Sequence, residues 1–261
     1  MWRANWAAGT PSLELRPPAQ EDLARLAVFL GRGADSTAYV AVVEDPSEDE
    51  ADAEAPEWAT LRQVGAALDD TDAGIFTAGL ALANWHRSHP RCSRCGAATE
   101  PEQGGWIRRC VVEGSEHYPR TDPAVIMSVI DPAGRLLLGR SPGWPEHNYS
   151  VLAGFLEPGE SLEAAVAREV EEEVGIAITE VRYLGNQPWP FPSSLMVGFE
   201  THTTTTDLRL DPAEISDAVW VTRDEYRDLL RSGRIRVPTG ISIAKRIIEH
   251  WLGETVESVV S

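Results

Sequence analysis

The feature that most constrains this chain is the run at residues 154–176, which reads GFLEPGESLEAAVAREVEEEVGI. Its first part contains glycine and proline, which favour a tight loop that can bring backbone groups close to a ligand. Its second part, residues 161–174, contains good helix formers and neither Gly nor Pro, and Gly175 stands where a helix would end. The pattern therefore predicts a loop followed by a helix of about three to four turns.

Three carboxylates share one face of this predicted helix, because Glu169, Glu172 and Glu173 stand at positions i, i+3 and i+4. Such a cluster is repulsive on its own, and an acidic helix face is often simply solvated. Mg²⁺ or Mn²⁺ would turn the repulsion into a binding site, because both ions prefer oxygen ligands and leave positions open for phosphate.

The spacing of this run resembles the signature of the Nudix hydrolases, G-x5-E-x7-R-E-U-x-E-E-x-G-U with U aliphatic. Every fixed position matches: Gly154, Glu160, Arg168, Glu169, Val170, Glu172, Glu173, Gly175 and Ile176. The resemblance implies hydrolysis of a nucleoside diphosphate linked to another group. It also implies a site for Mg²⁺ or Mn²⁺ formed by the carbonyl of Ala153 and by Glu169, Glu172, Glu173 and Glu214.

In that family the three helix glutamates are the catalytic residues, and one of them could serve as the general base; the sequence leaves open which. The resemblance also implies that Arg168 orients the glutamates by ion pairing and that Glu160 supports the metal site. Bound metal would neutralise the bridging phosphates and lower the pKa of a bound water.

A second motif lies about a dozen residues after the helix, where residues 186–194 read NQPWPFPSS. Three prolines stiffen this stretch into an extended loop, so Trp189 and Phe191 can offer rigid faces to a purine or pyridine ring, or can instead fill a core. The stretch closely resembles the S-Q-P-W-P-F-P-x-S motif of the NADH pyrophosphatase branch, with Asn186 in place of the first serine.

This branch implies cleavage of NADH or NAD⁺ to AMP and nicotinamide mononucleotide, and removal of the NAD cap from RNA, since the cleaved bond is the same. The substrate-binding residues that it implies are Tyr118, Phe155, Gln187, Pro188, Trp189, Pro190, Phe191, Pro192, Ser193, Ser194 and the main chain of Ala244. Two rival hypotheses are a Nudix enzyme for another nucleoside diphosphate derivative and a non-catalytic nucleotide sensor.

The cysteines predict a zinc-ribbon-like segment, because Cys92-x2-Cys95 can place two thiolates on one metal and Cys110 follows after 14 residues. Glu113 stands where a fourth cysteine would complete the ribbon, and His89 or His117 could substitute for it. The alternatives are a zinc site formed by Cys92, Cys95, Cys110 and Glu113, or a ribbon that has lost its metal and persists through packing.

The net charge of −18 argues against broad attraction to nucleic acid or to anionic membranes, so any contact with RNA is expected to be short. No apolar run is long enough to span a bilayer, and the N-terminus lacks a secretory pattern, which predicts a cytoplasmic protein. The family resemblance implies a homodimer.

We predict an α/β chain with three parts: a small α+β domain at residues 1–88, the zinc-ribbon-like segment at 89–119, and a Nudix α/β/α sandwich with a mixed sheet at 120–253. Within the first part, periodicity predicts a helix at 21–30, a strand at 37–43 and a helix at 61–85. Acidic residues 44–57 are expected to form an exposed loop, and residues 254–261 a frayed end.

Overall fold

The computed structural model describes residues 2–5, 10–44, 58–236 and 240–260. Contacts divide the chain into two units. The first comprises Met1–Thr121 with Trp189–Ser193, and the second comprises Asp122–Pro188 with Ser194–Ser261. The predicted acidic loop lies outside the described residues except for Glu44. In the described parts of the chain, no helix has the length and apolar content needed to cross a membrane.

The first unit combines short strands with two helices. Its elements are β1 (Trp2–Asn5), β2 (Ser12–Leu13), β3 (Leu26–Arg32), β4 (Ala38–Val43), β5 (Trp58–Ala59), α1 (Leu61–Val64), α2 (Asp70–Ser88), β6 (Thr99–Glu102), β7 (Ile107–Cys110) and β8 (Glu116–His117). β1 pairs with β2 and β5, β3 pairs with β4, and β7 lies between β6 and β8. The mixed content confirms the predicted α+β character and the strand predicted at 37–43.

The helix predicted at residues 21–30 is wrong. Gln20–Ala24 forms a short 3₁₀ turn, and β3 follows it and pairs antiparallel with β4 from Leu26 to Arg32. Val28, in the middle of β3, is fully buried. Cross-strand pairing and burial outweigh the weak helical periodicity of this short apolar run.

The helix predicted at residues 61–85 is interrupted. α1 ends at Val64, with Gly65 as its C-cap. α2 begins after Asp69, whose carboxylate accepts a hydrogen bond from the Asp72 N–H at 2.8 Å. Asp69 is therefore an N-cap, a role for which aspartate is among the favoured residues. The cap sets the start of the long helix that carries Asn84.

The second unit is built around one mixed sheet. Its elements are β9 (Asp122–Ile130), β10 (Leu136–Arg140), β11 (Leu152–Phe155), α3 (Leu162–Val174), β12 (Ile178–Trp189), β13 (Ser194–Thr203), β14 (Asp217–Val221), α4 (Arg223–Arg231), α5 (Ile243–Leu252) and α6 (Val256–Val260). The strand order is β12-β13-β9-β10-β14, with β11 also paired to β9. β13 runs parallel to β9, whereas β10, β11 and β14 pair antiparallel with their neighbours.

Alternation along β9 creates two cores. Val125, Met127 and Val129 belong to one core together with the buried side of α3, whereas Ile126 and Ile130 belong to a second core together with α4, α5 and α6. Side chains of a strand point alternately to opposite faces of a sheet, so helices cover both faces here. This arrangement confirms the predicted α/β/α sandwich.

The helix predicted after the glycine-rich loop is α3. The Ser161 hydroxyl accepts a hydrogen bond from the Ala164 N–H at 3.2 Å, and Gly175 ends the helix with φ +70°. A side chain is rarely tolerated at this φ, which explains the glycine. Val166 and Val170 are fully buried and fix which side of α3 faces the sheet.

The C-terminal residues do not fray as predicted. Val256–Val260 forms α6, and Val256 and Val259 are buried in the core shared with α4 and α5. The Glu249 carboxylate accepts a hydrogen bond from the Val256 N–H at 2.9 Å. Two valines at i and i+3 therefore anchor this short helix, a signal that its small size concealed.

The proline-rich stretch was expected to stay outside the sheet, and this is wrong for part of it. β12 continues through Pro188 to Trp189, and β13 begins at Ser194. Proline is tolerated there because β12 lies at the edge of the sheet, where one side of the strand has no partner among the residues that the structure describes. Only residues 190–193 form the connecting turn.

Candidate active site

Three glutamates from two parts of the second unit converge. Glu169 and Glu173 lie on α3, and Glu214 lies in the segment before β14; one carboxylate oxygen from each lies within 4.8 Å of the others. Glu169 and Glu173 are buried, whereas Glu214 is exposed. Among the described residues, Glu173 Oε2 is buried and has no hydrogen-bond partner. Such an arrangement is costly unless a cation joins it.

Gly154 makes this convergence possible. A Cβ atom placed on Gly154 would lie only 1.8–2.0 Å from the carboxyl atoms of Glu169, so the carboxylate lies directly against the bare backbone of β11. No other amino acid fits this position without displacing Glu169. The close approach of the Glu169 carboxylate therefore requires a glycine at this position.

Arg168 organises the polar side of the cluster. Its guanidinium donates to both oxygens of Glu160 at 2.9 Å, to Glu169 Oε1 at 2.8 Å, and to Glu172 Oε2 at 2.9 Å. A further hydrogen bond reaches the Phe155 carbonyl at 2.9 Å. The two-point contact with Glu160 fixes the plane of the guanidinium, and the remaining donors then fix Glu169. Glu160 lies just before the N-cap of α3 and not within the helix.

Glu172 differs from the other two helix glutamates. Its side chain is 55% exposed, and it is held by Arg168. The three ligand atoms that converge come from Glu169, Glu173 and Glu214, without Glu172. Its predicted role as a ligand remains a prediction. Ala153 lies in β11 opposite Ile126 and directly precedes Gly154.

The electrostatics of the cluster follow from burial and like charge. Burial, together with Glu169 and Glu214, raises the pKa of Glu173 to about 8. Burial also raises the pKa of Glu169, although Arg168 acts in the opposite direction. A divalent cation would replace the proton that this site otherwise favours and would satisfy the unpaired Glu173 oxygen. The donor set therefore fits Mg²⁺ or Mn²⁺, which take carboxylate oxygens as ligands.

The side chain of Gln187, a residue of β12, contacts the start of α5. Its amide donates to the Ile241 carbonyl and accepts from the Ile243 N–H at 2.7 Å. Ala244, the next residue, is buried, and its N–H donates to the Ser242 hydroxyl at 3.2 Å. The structure thus brings two predicted substrate-binding residues, Gln187 and Ala244, to one helix end.

Trp189–Ser193, which we name the aromatic turn, belongs to the first unit. Trp189 and Phe191 meet edge to face with ring centroids 4.9 Å apart, and Phe191 packs against the core that contains Phe76. The Arg62 guanidinium lies 3.9 Å from the ring centroid of Phe191 and 5.1 Å from that of Trp189. Asn84 donates to the Pro190 and Pro192 carbonyls at 3.0 and 3.2 Å. Sequence reasoning missed Arg62 and Asn84, because no motif marks them.

Other residues of the two predicted binding motifs differ in their exposure and in their hydrogen-bond partners. Tyr118, in the first unit, is 63% exposed and donates to Glu116 at 2.6 Å. Phe155, in the second unit, is 60% exposed. Ser194 pairs with Asp122 at the start of β13, and Asn186 donates to the Tyr183 hydroxyl at 2.7 Å.

The four predicted zinc ligands form a second cluster. Ligand atoms of Cys92, Cys95, Cys110 and Glu113 all lie within 4.8 Å of one another, and His89 and His117 are not part of this group. Cys92 Sγ donates to Glu113 Oε1 at 3.2 Å, and the Ser115 hydroxyl donates to the same oxygen at 2.7 Å. Burial raises the pKa of Cys92, but backbone and Ser115 hydrogen bonds outweigh it and lower the pKa to about 6. Zinc takes cysteine sulfurs and carboxylate oxygens as ligands, so this donor set fits zinc.

Comparison with known protein families divides the chain into three consecutive matches. These are the NADH pyrophosphatase-like rudimentary NUDIX domain at residues 7–85, the NADH pyrophosphatase zinc ribbon domain at 87–118 and the NUDIX domain at 120–238. The chain belongs to the Nudix hydrolases, a class of enzymes that use divalent metals, and within them to the NADH pyrophosphatase family.

Individual relatives agree with this placement. The NAD-capped RNA hydrolase NudC of Mycobacterium bovis is 43% identical over 235 residues, which cover 86% of this chain and 75% of that protein. NudC of Mycobacterium tuberculosis gives the same values. The human NAD-capped RNA hydrolase NUDT12 is 42% identical over 197 residues, which cover 71% of this chain and 43% of that protein.

Proposed function

We propose that this enzyme hydrolyses the diphosphate bond of NADH or NAD⁺, giving AMP and nicotinamide mononucleotide, and that it removes the NAD cap from RNA. The observation that carries the proposal is the convergence of Glu169, Glu173 and Glu214 beside Gly154, with one buried carboxylate oxygen left without a partner among the described residues. Membership in the NADH pyrophosphatase family supports the substrate class.

The site would hold Mg²⁺ or Mn²⁺ through Glu169, Glu173 and Glu214, and Glu172 and the Ala153 carbonyl are the further ligands that we propose. When bound, such ions neutralise the charge of the diphosphate and make an attacking water more acidic. Arg168 keeps Glu169 in place through its contacts with Glu160 and Glu169. The glutamates are also the candidates for accepting the proton of the attacking water.

Recognition of the dinucleotide is assigned to the exposed aromatic rings and to the proline-rich stretch. Phe155 and Tyr118 both expose more than half of their surface and can stack on a base or a nicotinamide ring. Residues 187–194 and the main chain of Ala244 complete the set. Within it, Phe191 is partly buried against a core, so Trp189 is the better candidate for contact with a ring.

Action on NAD-capped RNA is proposed because the curated relatives NudC and NUDT12 carry that activity in their names. The net charge of −18 favours contact with only the first nucleotides after the cap, since a long phosphate backbone needs basic side chains. Comparing NAD-capped RNA with free NADH at equal concentration tests which substrate is preferred.

The decisive experiment is product analysis by chromatography after incubation with NADH, NAD⁺, ADP-ribose and FAD, in Mg²⁺ and in Mn²⁺. We expect AMP and the nicotinamide mononucleotide from NADH or NAD⁺. Glu173→Gln should lower the rate on the order of 10²-fold or more, because it removes one of the three carboxylates that converge on the proposed metal site. The matched control is Glu171→Gln on the exposed side of the same helix.

Two results would contradict the proposal. Metal-dependent release of AMP from ADP-ribose or FAD alone would indicate another Nudix substrate. Nucleotide binding without any hydrolysis by the unaltered protein would support a sensor.

We also propose that Cys92, Cys95, Cys110 and Glu113 hold zinc, and that the enzyme is a homodimer located in the cytoplasm. Metal analysis of protein purified without added zinc tests the first point, because a zinc-to-protein ratio near zero would contradict it. Light scattering after size-exclusion chromatography tests the second.

A further inference from the structure

The turn between β12 and β13 is held by residues of the first unit. Its flanking residues, Pro188 and Ser194, belong to the second unit, whereas Trp189–Ser193 belongs to the first. Within the described part of the chain, this turn therefore packs with the N-terminal residues although it lies far from them in the sequence. Its position is set by residues more than 100 positions earlier in the sequence.

Asn84 makes the most specific of these contacts. Its Nδ2 donates to the Pro190 carbonyl at 3.0 Å and to the Pro192 carbonyl at 3.2 Å, so both protons of one amide are used on the same turn. Its Oδ1 accepts from the Arg87 guanidinium at 2.6 Å, which fixes the direction of the amide. Prolines have no N–H, so carbonyls are the only backbone groups that Pro190 and Pro192 can offer.

Arg62 makes the second contact. Its guanidinium lies over the ring of Phe191 at 3.9 Å and near that of Trp189 at 5.1 Å, within the range of cation–π interactions. Phe191 itself packs against the core formed by α1, α2 and neighbouring strands. Hydrogen bonds hold the backbone of the turn, and Arg62 with the core holds its rings.

We propose that the N-terminal domain fixes the conformation of the aromatic turn, and that Asn84 is a positioning residue for recognition of the dinucleotide. This rests on the proposed function, in which Trp189 contacts a ring of the substrate. Asn84 itself does not touch the substrate. It acts by fixing the backbone on either side of Phe191, and thereby the direction of the neighbouring Trp189 ring.

The sharpest test is Asn84→Asp, which keeps the size of the side chain and its acceptor for Arg87. It replaces the donor Nδ2 by an oxygen that faces the carbonyl oxygens of Pro190 and Pro192. The two hydrogen bonds are then lost, and the facing oxygens repel each other. The matched control is Thr71→Asp, which adds the same charge to an exposed position of α2 thirteen residues away, about 20 Å along the helix.

Two readouts are measured on the full chain. Hydrogen–deuterium exchange of the peptide that spans residues 186–196 should become faster in Asn84→Asp and stay unchanged in Thr71→Asp. Steady-state kinetics with NADH should show KM raised about tenfold with kcat within about twofold, because ring binding is weakened and the glutamate cluster is untouched. A general loss of structure would lower kcat as well.

Arg62→Gln serves as a second variant and should raise KM in the same direction by a smaller factor, since it removes a ring contact but no hydrogen bond. The proposal is overturned if exchange of the 186–196 peptide in Asn84→Asp equals that of the unaltered protein, or if KM does not change. Failure of the proposed function is distinguishable, because it would show as an absence of NADH hydrolysis in the unaltered protein. Exchange would still decide whether Asn84 holds the turn.

Discussion

The two clusters of potential metal ligands differ in how far the protein itself satisfies their atoms. In the carboxylate cluster, Glu169, Glu173 and Glu214 repel one another, and one buried oxygen of Glu173 has no partner among the described residues. In the thiol cluster, Cys92 and Ser115 both donate to Glu113. Cys95 Sγ and Cys110 Sγ are also in contact at 3.5 Å.

This difference indicates whether each cluster can keep its geometry when no cation is bound. The thiol cluster has internal donors and acceptors and can keep its shape through them. The carboxylate cluster can relieve its repulsion only by taking up protons or a cation, and the raised pKa of Glu173 reflects the first route. A site that gains from an exchangeable cation suits catalysis, whereas a self-satisfied site suits a structural role.

The largest expected effect concerns Gly154. We expect Gly154→Ala to lower NADH hydrolysis on the order of 10²-fold, because the added Cβ would lie within 2.0 Å of the Glu169 carboxylate and displace it from the cluster. Steady-state assay in saturating Mn²⁺ measures the loss. Gly74→Ala, at an open position of α2, is the control and should keep full activity. Full activity of Gly154→Ala would show that the carboxylate tolerates displacement.

The next effect concerns stability of the metal-free protein. The folded pKa of Glu173 is about 8 and lies above the ordinary value of 4.5, so between these pH values the folded state keeps a proton that the unfolded state loses. Stability therefore falls as pH rises through this window. Glu173→Gln removes this loss and should raise the melting temperature by about 10 °C at pH 8 but by only about 1 °C at pH 4.5.

Thermal unfolding in chelator measures this difference, with Glu171→Gln as the control at the exposed neighbouring position. Equal melting temperatures of Glu173→Gln and the unaltered protein at pH 8 would show that Glu173 is ionised at no cost. In that case the contrast between the two clusters would disappear.

The smallest effect concerns Glu113. Glu113→Cys should slow the release of zinc to a chelator by about tenfold, because a fourth thiolate binds zinc more tightly than a carboxylate does. A colorimetric zinc-release assay measures the rate, and Glu100→Cys, an exposed position of β6, controls for an added thiol. Release as fast as from the unaltered protein would show that Glu113 is not a ligand.

The sequence predicted the helix of the site well and its geometry only partly. Spacing places Glu169, Glu172 and Glu173 on one face of α3, but Arg168 holds the exposed Glu172 and burial separates Glu173 from solvent. Spacing along a helix gives the direction of a side chain, whereas its burial depends on residues far away in the sequence. Glu214 required the family pattern, because a lone glutamate in a loop carries no signal of its own.

The same limit explains the errors outside the site. A short apolar run such as Leu26–Arg32 fits a helix or a strand, and pairing with β4 decides between them. The contact of Asn84 with the aromatic turn joins residues 106 and 108 positions apart, and no local pattern indicates it. Local features such as the Ser161 cap and Gly175 were readable because their cause lies within a few residues.

Pro188 has a consequence for the behaviour of the enzyme at high concentration. β12 forms one border of the main sheet, and an open border offers unpaired N–H and C=O groups to any extended chain that approaches. A residue without an N–H interrupts that template near the end of the strand. Pro188 thereby opposes pairing of a second chain with this end of β12, which reduces strand-by-strand aggregation there.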